Sequence, residues 1–251
     1  MSLLIVGHRG AMAHAPENSL ASYALAEASG VDEIELDVRV TSDGELVLVH
    51  DATLDRTAGD DTAMGLGPIA DLTLVQVRAA KLNSGEPAPT LLEMYEATHT
   101  EIQLEIKDPA AVPLLKRFFD SRPADAERTI LASFSPDALR HACELMPQIR
   151  RSIITATLSG AEDFSGGWRG LVKYSRATRV ACGFEGLTKD LVSEMHASGL
   201  EVHGWPMRAP KDMQTALRVG VDGTTADDPA MAREWYEKIR SVSAHQPTQL
   251  S

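Results

Sequence analysis

The stretch that decides the fold is EIELDVRVTSDGELVLVHD, residues 33–51. Its two apolar runs indicate two β-strands, and the Asp43-Gly44 pair between them is a strong signal for a two-residue hairpin turn. Side chains alternate between the two faces of a strand, so Glu35 and Asp37 share one face and the apolar residues between them share the other. The first strand therefore carries two acids on a face that strands normally fill with valine or isoleucine.

The turn also predicts which residues of the hairpin face each other. If Asp43 and Gly44 form the turn, residues whose numbers sum to 87 are directly opposed, with Cβ atoms about 5 Å apart. Asp37 would then lie opposite His50. We expect the hairpin to bring together an acid and a histidine that are distant in sequence.

Strand-like runs alternate with helical patterns along the rest of the chain. Nine segments are strand candidates: 3–8, 33–38, 45–50, 102–107, 129–134, 151–156, 180–185, 200–205 and 221–226. Helical segments lie between most of them, the first with Asn18 or Ser19 as its N-cap and Gly30 as its stop signal. Without the antiparallel return strand, eight parallel strands remain, which favours an α/β fold of the closed (β/α)8 TIM type over an open sheet.

We expect residues 1–240 to form one barrel domain. Residues 52–90 interrupt the alternation, are rich in Gly, Ala, Asp and Pro, and are too many for a plain loop. They predict a small insertion with one short helix near LTLVQVRAAK, packed over one end of the barrel. Residues 241–251 are polar and predict a frayed tail.

The composition limits the classes of function. The chain has 251 residues and a net charge of -12, which argues against binding to nucleic acid or an anionic membrane. It has two cysteines in unlike contexts, no signal-peptide pattern at its start, and no apolar run near the roughly 18 residues that cross a bilayer. We expect a cytoplasmic protein without stable membrane insertion that acts on a small molecule, and we leave its oligomeric state open.

A second strand candidate repeats the pattern of inward acids. In IQLEIKD, Glu105 and Lys107 face one way and the apolar residues face the other. With Glu35 and Asp37 they would place three carboxylates near the barrel interior, at a high cost in hydration and repulsion unless cations compensate. A salt-bridge network with Lys107 and Arg39 is one solution, and a hard divalent cation is the other. Two strands with this pattern and two nearby histidines favour the cation.

Further candidates lie at strand ends, where active sites of such barrels are found. His8 ends the first strand and is followed by Arg9, which can grip a phosphate or a carboxylate through two parallel hydrogen bonds. His50 ends the hairpin. Trp205 lies near the end of the last-but-one parallel strand, and it either forms a wall against a substrate or fills the barrel top. His203 shares its face of the strand, and a structural role is favoured for it. The remaining histidines are expected at the surface: His14, His99, His141, His196 and His245.

Together these residues resemble a known family, the glycerophosphodiester phosphodiesterases. The motifs GHRG, APENS, EIELDVRVTSDGELVLVHD, PTLLEM, LEIK, SF, a late W and GVDGTTADDP occur in the family's order. The resemblance extends over roughly residues 4–230, and the composite pattern is far more specific than any one motif.

The resemblance implies a (β/α)8 barrel with a small insertion after the HD motif. It implies one divalent cation, Mg²⁺ or Ca²⁺, held by the residues that match the family's ligands, Glu35, Asp37 and Glu105. It also implies that the histidines of HRG and HD, here His8 and His50, are the acid–base pair.

The resemblance further implies that Arg9 and Lys107 hold the phosphate and that Glu17 and Asn18 of the PEN motif support the site. The chain departs from the family at GWPMR, residues 204–208, where a W-T-V-N-like run is usual. Met207 in place of a polar residue bears on the substrate contacts near Trp205 and leaves the metal ligands unaffected.

The implied reaction is metal-dependent hydrolysis of glycerophosphodiesters to sn-glycerol 3-phosphate and an alcohol. One histidine would take a proton from the nucleophile, which is either the glycerol hydroxyl or water, and the other would protonate the leaving alcohol. One alternative is a related phosphodiesterase or lyase that stops at a cyclic phosphate or acts on intact phospholipids. The other is a binding barrel without catalysis.

Overall fold

The computed structural model describes residues 2–59, 63–83, 85–158 and 164–244. These residues contain nine strands, in chain order: β1 (Leu4–Gly7), β2 (Glu33–Val40), β3 (Leu46–Leu48), β4 (Glu101–Ile106), β5 (Thr129–Ser133), β6 (Arg150–Thr155), β7 (Arg179–Gly183), β8 (Glu201–Met207) and β9 (Gly223–Ala226). All except β3 pair in parallel, in the order β1-β9-β8-β7-β6-β5-β4-β2, and β2 pairs with β1 to close the ring. This confirms the predicted (β/α)8 barrel.

Helices follow the barrel strands and cover its outside. Their bounds are α1 (Leu20–Ala28), α2 (Leu74–Ala79), α3 (Leu91–Ala97), α4 (Ala111–Ser121), α5 (Pro123–Glu127), α6 (Pro136–Leu145), α7 (Trp168–Ser175), α8 (Lys189–Ala197), α9 (Pro210–Val219) and α10 (Pro229–Ala244). Ser19 is the N-cap of α1, and its side chain accepts a hydrogen bond from the Ser22 N–H. Gly30 follows the helix with φ of 71°, a conformation that glycine adopts without a Cβ penalty.

The alternation along β2 and β4 separates the core from the barrel interior. The apolar residues Ile34, Leu36 and Val38 are fully buried in the main hydrophobic core that the helices cover. Their neighbours with the opposite parity point into the barrel. Asp37 pairs in register with Glu105 on the adjacent strand, so two of the predicted acids lie at the same level.

The hairpin register differs from the prediction by one residue. Val38 pairs with Leu48 and Val40 with Leu46, so Asp37 lies opposite Val49 and not opposite His50. The reason is the turn, which has three residues between Thr41 and Glu45 rather than two. The Thr41 hydroxyl accepts a hydrogen bond from the Glu45 N–H, and Gly44 takes a left-handed conformation with φ of 81°.

The segment 52–90, here called the cap, has a small core of its own. Two residues of the hairpin, Val47 and Val49, pack with apolar residues of the cap: Leu54, Ala63, Ile69, Leu72, Val77, Ala80, Leu82 and Ala88. The helix predicted near residues 72–81 is α2, which a Thr73–Gln76 capping box begins, and a short 3₁₀ turn at Ile69–Asp71 precedes it. Because β3 pairs with the last residues of β2, the cap lies at the carboxyl end of the barrel.

The last helix, α10, continues to Ala244, past residue 241 where the sequence predicted the tail to begin. The rest of that predicted tail, residues 245–251 with His245, lies outside the described residues. In the part of the chain that the structure describes, no helix combines the length and apolar character that crossing a bilayer requires.

Candidate active site

A cavity of about 210 Å³ opens at the carboxyl end of the barrel. Its polar half is lined by His8, Arg9, Glu35, His50, Gln103, Glu105 and Lys107. The remaining lining residues are mostly apolar: Phe134, Ile154, Ala181, Trp205, Pro206, Arg208 and Thr225. This is the end where barrel enzymes carry their active sites.

The three predicted acids converge at this cavity, which Glu35 and Glu105 line. One carboxylate oxygen each from Glu35, Asp37 and Glu105 lies within 4.8 Å of the others, and all three residues are buried. Asp37 Oδ1 is buried and forms an ion pair with Lys107 but no hydrogen bond within the described residues. A set of three oxygen donors at this spacing fits a hard divalent cation such as Mg²⁺ or Ca²⁺.

Two cations compensate the acids in part. Lys107 Nζ lies 2.7 Å from Glu105 Oε1 and 3.2 Å from Asp37 Oδ1. The backbone N–H of Arg9 donates to Glu35 Oε2 at 2.9 Å, and Arg9 Nε lies 3.3 Å from Asp37 Oδ2. Arg39, which the salt-bridge alternative required as a partner of the acids, donates to the carbonyl of His50 instead.

The pKa values of the three acids show that this compensation is incomplete. Burial, together with the negative charges of Asp37 and Glu105, raises the pKa of Glu35 well above its usual range. Burial and the charge of Asp37 raise the pKa of Glu105 to about 7. For Asp37, burial is outweighed by the charges of Lys107 and Arg9, and its pKa falls below the usual value. The two remaining carboxyls would bear their charges readily only with a further cation.

Asn18, which the sequence predicted as a supporting residue, forms two hydrogen bonds with Asp37. Its Nδ2 donates to Asp37 Oδ2 at 2.8 Å, and its Oδ1 accepts the backbone N–H of Asp37 at 3.2 Å. The hydroxyl of Tyr23 donates to the same Oδ1 at 3.0 Å. Asn18 has φ of 53°, a region that asparagine enters more readily than most residues. Tyr23 went unrecognised in the sequence, because it reads there as an apolar residue of α1.

His8 is held by a residue that the sequence did not single out. Its Nδ1 lies 2.5 Å from Oδ1 of Asp227, the residue that directly follows β9. Its Nε2 lies 4.0 Å from Glu35 Oε2. With the proton on Nδ1, His8 donates to Asp227 and directs the lone pair of Nε2 towards the acids. The feature of the sequence that could have indicated Asp227 is its position at a strand end, within the GVDGTTADDP motif.

His50 has an equivalent arrangement on the other side of the cavity. Its Nδ1 lies 2.7 Å from Asp51 Oδ1, and its carbonyl is fixed by Arg39. Partial burial lowers the pKa of His50, although the charge of Asp37 and the hydrogen bond with Asp51 oppose that shift. Each candidate catalytic histidine therefore has a carboxylate at Nδ1.

Glu17, predicted as a supporting residue, lies between two arginines. Its Oε1 accepts a hydrogen bond from Arg9 at 2.8 Å, and both of its oxygens accept hydrogen bonds from Arg56 of the cap. Arg56 also donates to Asp51 at 2.6 Å. The sequence did not single out Arg56, whose bidentate partner Glu17 is 39 positions away along the chain.

Trp205 lines the apolar half of the cavity. Its ring meets that of Phe134 edge to face at a centroid distance of 5.9 Å, and the ammonium of Lys107 lies 5.8 Å from the Phe134 ring centroid. Met207, the departure noted in the sequence, is buried in the main core and does not line the cavity, whereas its neighbour Arg208 does. His203 is fully buried and bonds to Glu201, away from the cavity lining.

The remaining histidines that the structure describes are exposed or half-buried away from this cavity. They are His14, His99, His141 and His196. They lie in loops or helices, as the sequence indicated.

Comparison with known proteins identifies relatives of this arrangement. The model of the "Glycerophosphoryl diester phosphodiesterase family" matches residues 8–231. "Probable glycerophosphodiester phosphodiesterase 1" of Mycobacterium tuberculosis is 30% identical, with 94% of this chain and 93% of that protein covered. A "Glycerophosphodiester phosphodiesterase" of Caldanaerobacter subterraneus subsp. tengcongensis is 28% identical, with 91% and 96% covered. An Oleispira antarctica phosphodiesterase, solved in complex with the product sn-glycerol-3-phosphate, superposes with a TM-score of 0.83 at 24% identity, with 93% of this chain and 96% of that chain covered, and shares the fold.

Proposed function

The chain belongs to the glycerophosphoryl diester phosphodiesterase family, and we propose that it hydrolyses glycerophosphodiesters to sn-glycerol 3-phosphate and an alcohol in a metal-dependent reaction with two catalytic histidines. The observation that carries this proposal is the content of one cavity. Three buried acids, two histidines with a carboxylate at Nδ1, and two cations surround it. The names of the relatives and the product bound to the Oleispira enzyme support the choice of substrate.

Glu35, Asp37 and Glu105 would hold the divalent cation, Mg²⁺ or Ca²⁺. When bound, such a cation polarises a phosphoryl oxygen and neutralises charge that develops on it. The raised pKa values of Glu35 and Glu105 support this assignment, because two carboxyls that resist ionisation alone gain a partner that favours their charged form.

Arg9 and Lys107 would bind the phosphate of the substrate. Both side chains line the cavity, and both form ion pairs with Asp37. Arg9 Nε is buried beside Asp37 Oδ2, so a contact with a phosphoryl oxygen would come from the other nitrogens of the guanidinium. A guanidinium and an ammonium at one phosphate favour the anionic transition state of phosphoryl transfer.

His8 and His50 would move the two protons of the reaction. One imidazole Nε2 accepts the proton of the attacking hydroxyl, and the other donates a proton to the oxygen of the departing alcohol. Asp227 and Asp51 hold Nδ1 of the two rings and stabilise each imidazolium when it forms. The attacking group is the glycerol hydroxyl, which gives a cyclic phosphate intermediate, or a water molecule.

We place the enzyme in the cytoplasm as part of this proposal. Cys143 and Cys182 are both free thiols, and Cys182 is buried, which is typical of proteins from reducing compartments. The substrate is a small molecule.

The experiment is a coupled assay for sn-glycerol 3-phosphate. Glycerophosphocholine, glycerophosphoethanolamine and glycerophosphoglycerol are supplied in turn, and ³¹P NMR of the same mixtures detects any cyclic phosphate. We expect release of sn-glycerol 3-phosphate from at least one substrate. Accumulation of the cyclic phosphate alone would indicate a lyase, and no turnover of any substrate would contradict the proposed function.

A further inference from the structure

We propose that Arg56 of the cap is a positioning residue for the reaction, which orients His50 through Asp51 and Arg9 through Glu17 at the same time. This inference rests on the proposed function. It concerns a residue in the cap, outside the lining of the cavity, that no feature of the sequence pointed to.

The contacts of Arg56 use all three nitrogens of its guanidinium. Nε donates to Asp51 Oδ2 at 2.6 Å, while the two terminal nitrogens donate to Glu17 Oε2 at 2.6 Å and Glu17 Oε1 at 2.7 Å. The pair with Glu17 is bidentate, which fixes the plane of the carboxylate as well as its distance. One side chain therefore orients two acids that lie far apart in the sequence.

Each of these two acids has its second contact in the active site. Asp51 Oδ1 lies 2.7 Å from Nδ1 of His50, and Glu17 Oε1 accepts a hydrogen bond from Arg9 at 2.8 Å. The chain of contacts runs from the imidazole through Asp51, Arg56 and Glu17 to the guanidinium that would hold the phosphate. A shift of Arg56 is thereby transmitted to both a proton-transfer group and a phosphate-binding group.

The network differs from an ordinary surface ion pair. Isolated exposed pairs contribute little, but bidentate geometry and several linked charges are the recognised exceptions. Hydrogen bonds from Arg56 and His50 more than offset the effect of partial burial and lower the pKa of Asp51 to about 2. The same two acids raise the pKa of Arg56, so the guanidinium stays charged throughout the working pH range.

The network also connects the cap to the barrel. Glu17 lies in the loop between β1 and α1, and Arg56 lies in the segment that follows the hairpin. The core of the cap packs on Val47 and Val49 of the hairpin, and the contacts of Arg56 add a link from the cap to the loop after β1. Arg56 thus gives the cap a role in the geometry of the site.

The test compares Arg56→Ala and Arg56→Lys with a matched control, Arg150→Ala. Arg150 pairs with Glu101 at 2.8 Å, and its side chain is 47% exposed against 51% for Arg56, but it lies at the amino end of the barrel. We expect Arg56→Ala to lower kcat/KM for glycerophosphocholine by about 10- to 100-fold, the range that a small misplacement of reacting groups produces. Both kcat and KM should change, because His50 and Arg9 are affected together.

Arg56→Lys keeps the charge but cannot form the bidentate contact, so we expect a loss of intermediate size. Arg150→Ala should stay within about twofold of the wild type, as expected for an isolated exposed pair. In the double variant Arg56→Ala/Asp51→Asn, the loss in kcat should be smaller than the two separate losses combined, because both changes release the same imidazole and only the effect through Glu17 and Arg9 is added. Strict additivity of the two effects on kcat would overturn the proposal.

A second measurement does not depend on turnover. The ¹⁵N signals of the His50 imidazole, identified by their absence in His50→Gln, should show the Nδ1–H tautomer in the wild type and a mixture of tautomers in Arg56→Ala. If the wild type releases sn-glycerol 3-phosphate while Arg56→Ala is unchanged in rate and tautomer, the role of Arg56 is refuted and the proposed function stands. If the wild type releases none, the proposed function fails, and the imidazole signals still decide whether Arg56 orients His50.

Discussion

Nδ1 of His8 and Oδ1 of Asp227 lie 2.5 Å apart, which joins the end of the first barrel strand to the end of the last. The two residues are 219 positions apart in sequence, and only closure of the barrel brings them together. The contact orients the ring so that Nε2 faces the acids near the cavity. It gives a first prediction about a residue that the sequence did not single out.

Asp227→Asn should lower kcat by about 100-fold or more, because an amide favours the wrong tautomer of the histidine and cannot stabilise its charged form. Asp228→Asn is the control, since Asp228 bonds to the exposed His14 and should leave kcat almost unchanged. The measurement is steady-state release of sn-glycerol 3-phosphate. Equal rates for Asp227→Asn and the wild type would show that His8 needs no such partner.

The two histidines should each be required, and two substrates should distinguish their roles. His8→Ala and His50→Ala should each reduce kcat on glycerophosphocholine by about 10² to 10⁴, the usual contribution of a general acid or base. An aryl phosphodiester has a good leaving group, so loss of the acid should affect it less, whereas loss of the base should affect both substrates alike. If either variant keeps near wild-type rates on glycerophosphocholine, the histidine that it lacks has a structural role.

The raised pKa of Glu105 predicts how the metal-free protein responds to pH. Because the folded-state pKa of about 7 lies above the ordinary value of 4.5, the folded state binds more protons between these limits than the unfolded state does. The free energy of unfolding should therefore fall as pH rises from about 4.5 to 7, the reverse of the usual behaviour of an acid.

Glu105→Gln removes this titration, and thermal unfolding in EDTA provides the measurement. The Tm of the variant minus the Tm of the wild type should be larger at pH 8 than at pH 5. Glu101→Gln, at an exposed position, is the control. Added Mg²⁺ or Ca²⁺ should then raise the Tm of the wild type at pH 8 more than that of the variant. A Tm difference that is independent of pH would contradict the incomplete compensation of the three acids.

A buried ion pair at the amino end of the barrel predicts a large effect on stability. Both terminal nitrogens of Arg179 donate to Glu33 at 2.7 Å, and one also donates to Glu201 at 2.8 Å. Arg179→Ala leaves the carboxylate of Glu33 buried without its partner, which should lower the free energy of unfolding by about 3–5 kcal/mol. Chemical denaturation checks this against the exposed Arg150→Ala, and similar values for the two would contradict it.

The sequence was sufficient to predict the barrel because its signals are local. Strand alternation placed Glu35, Asp37 and Glu105 on inward faces. N-cap residues such as Ser19 predicted where helices begin. The hairpin register was wrong by one residue, because the three-residue turn depends on the Thr41 hydroxyl as well as on Asp43-Gly44.

Three residues that hold the site, Asp227, Arg56 and Tyr23, could not be predicted in the same way. Asp227 and Arg56 reach their partners only after the barrel closes and the cap folds over it. Tyr23 reads as part of the apolar face of α1, yet its hydroxyl bonds to Asn18 inside the barrel. The contacts of Asp227 with His8 and of Arg56 with Glu17 join segments that are distant in the chain, and no spacing in the sequence indicates them.

The most direct test of a metal-dependent phosphodiesterase is the rate of sn-glycerol 3-phosphate release after exhaustive treatment with EDTA. Because Glu35, Asp37 and Glu105 converge from two strands on one point, the treated protein should be inactive, and added Mg²⁺ or Ca²⁺ should restore the rate. Full activity on glycerophosphocholine after complete removal of metal would contradict the assignment of these three acids.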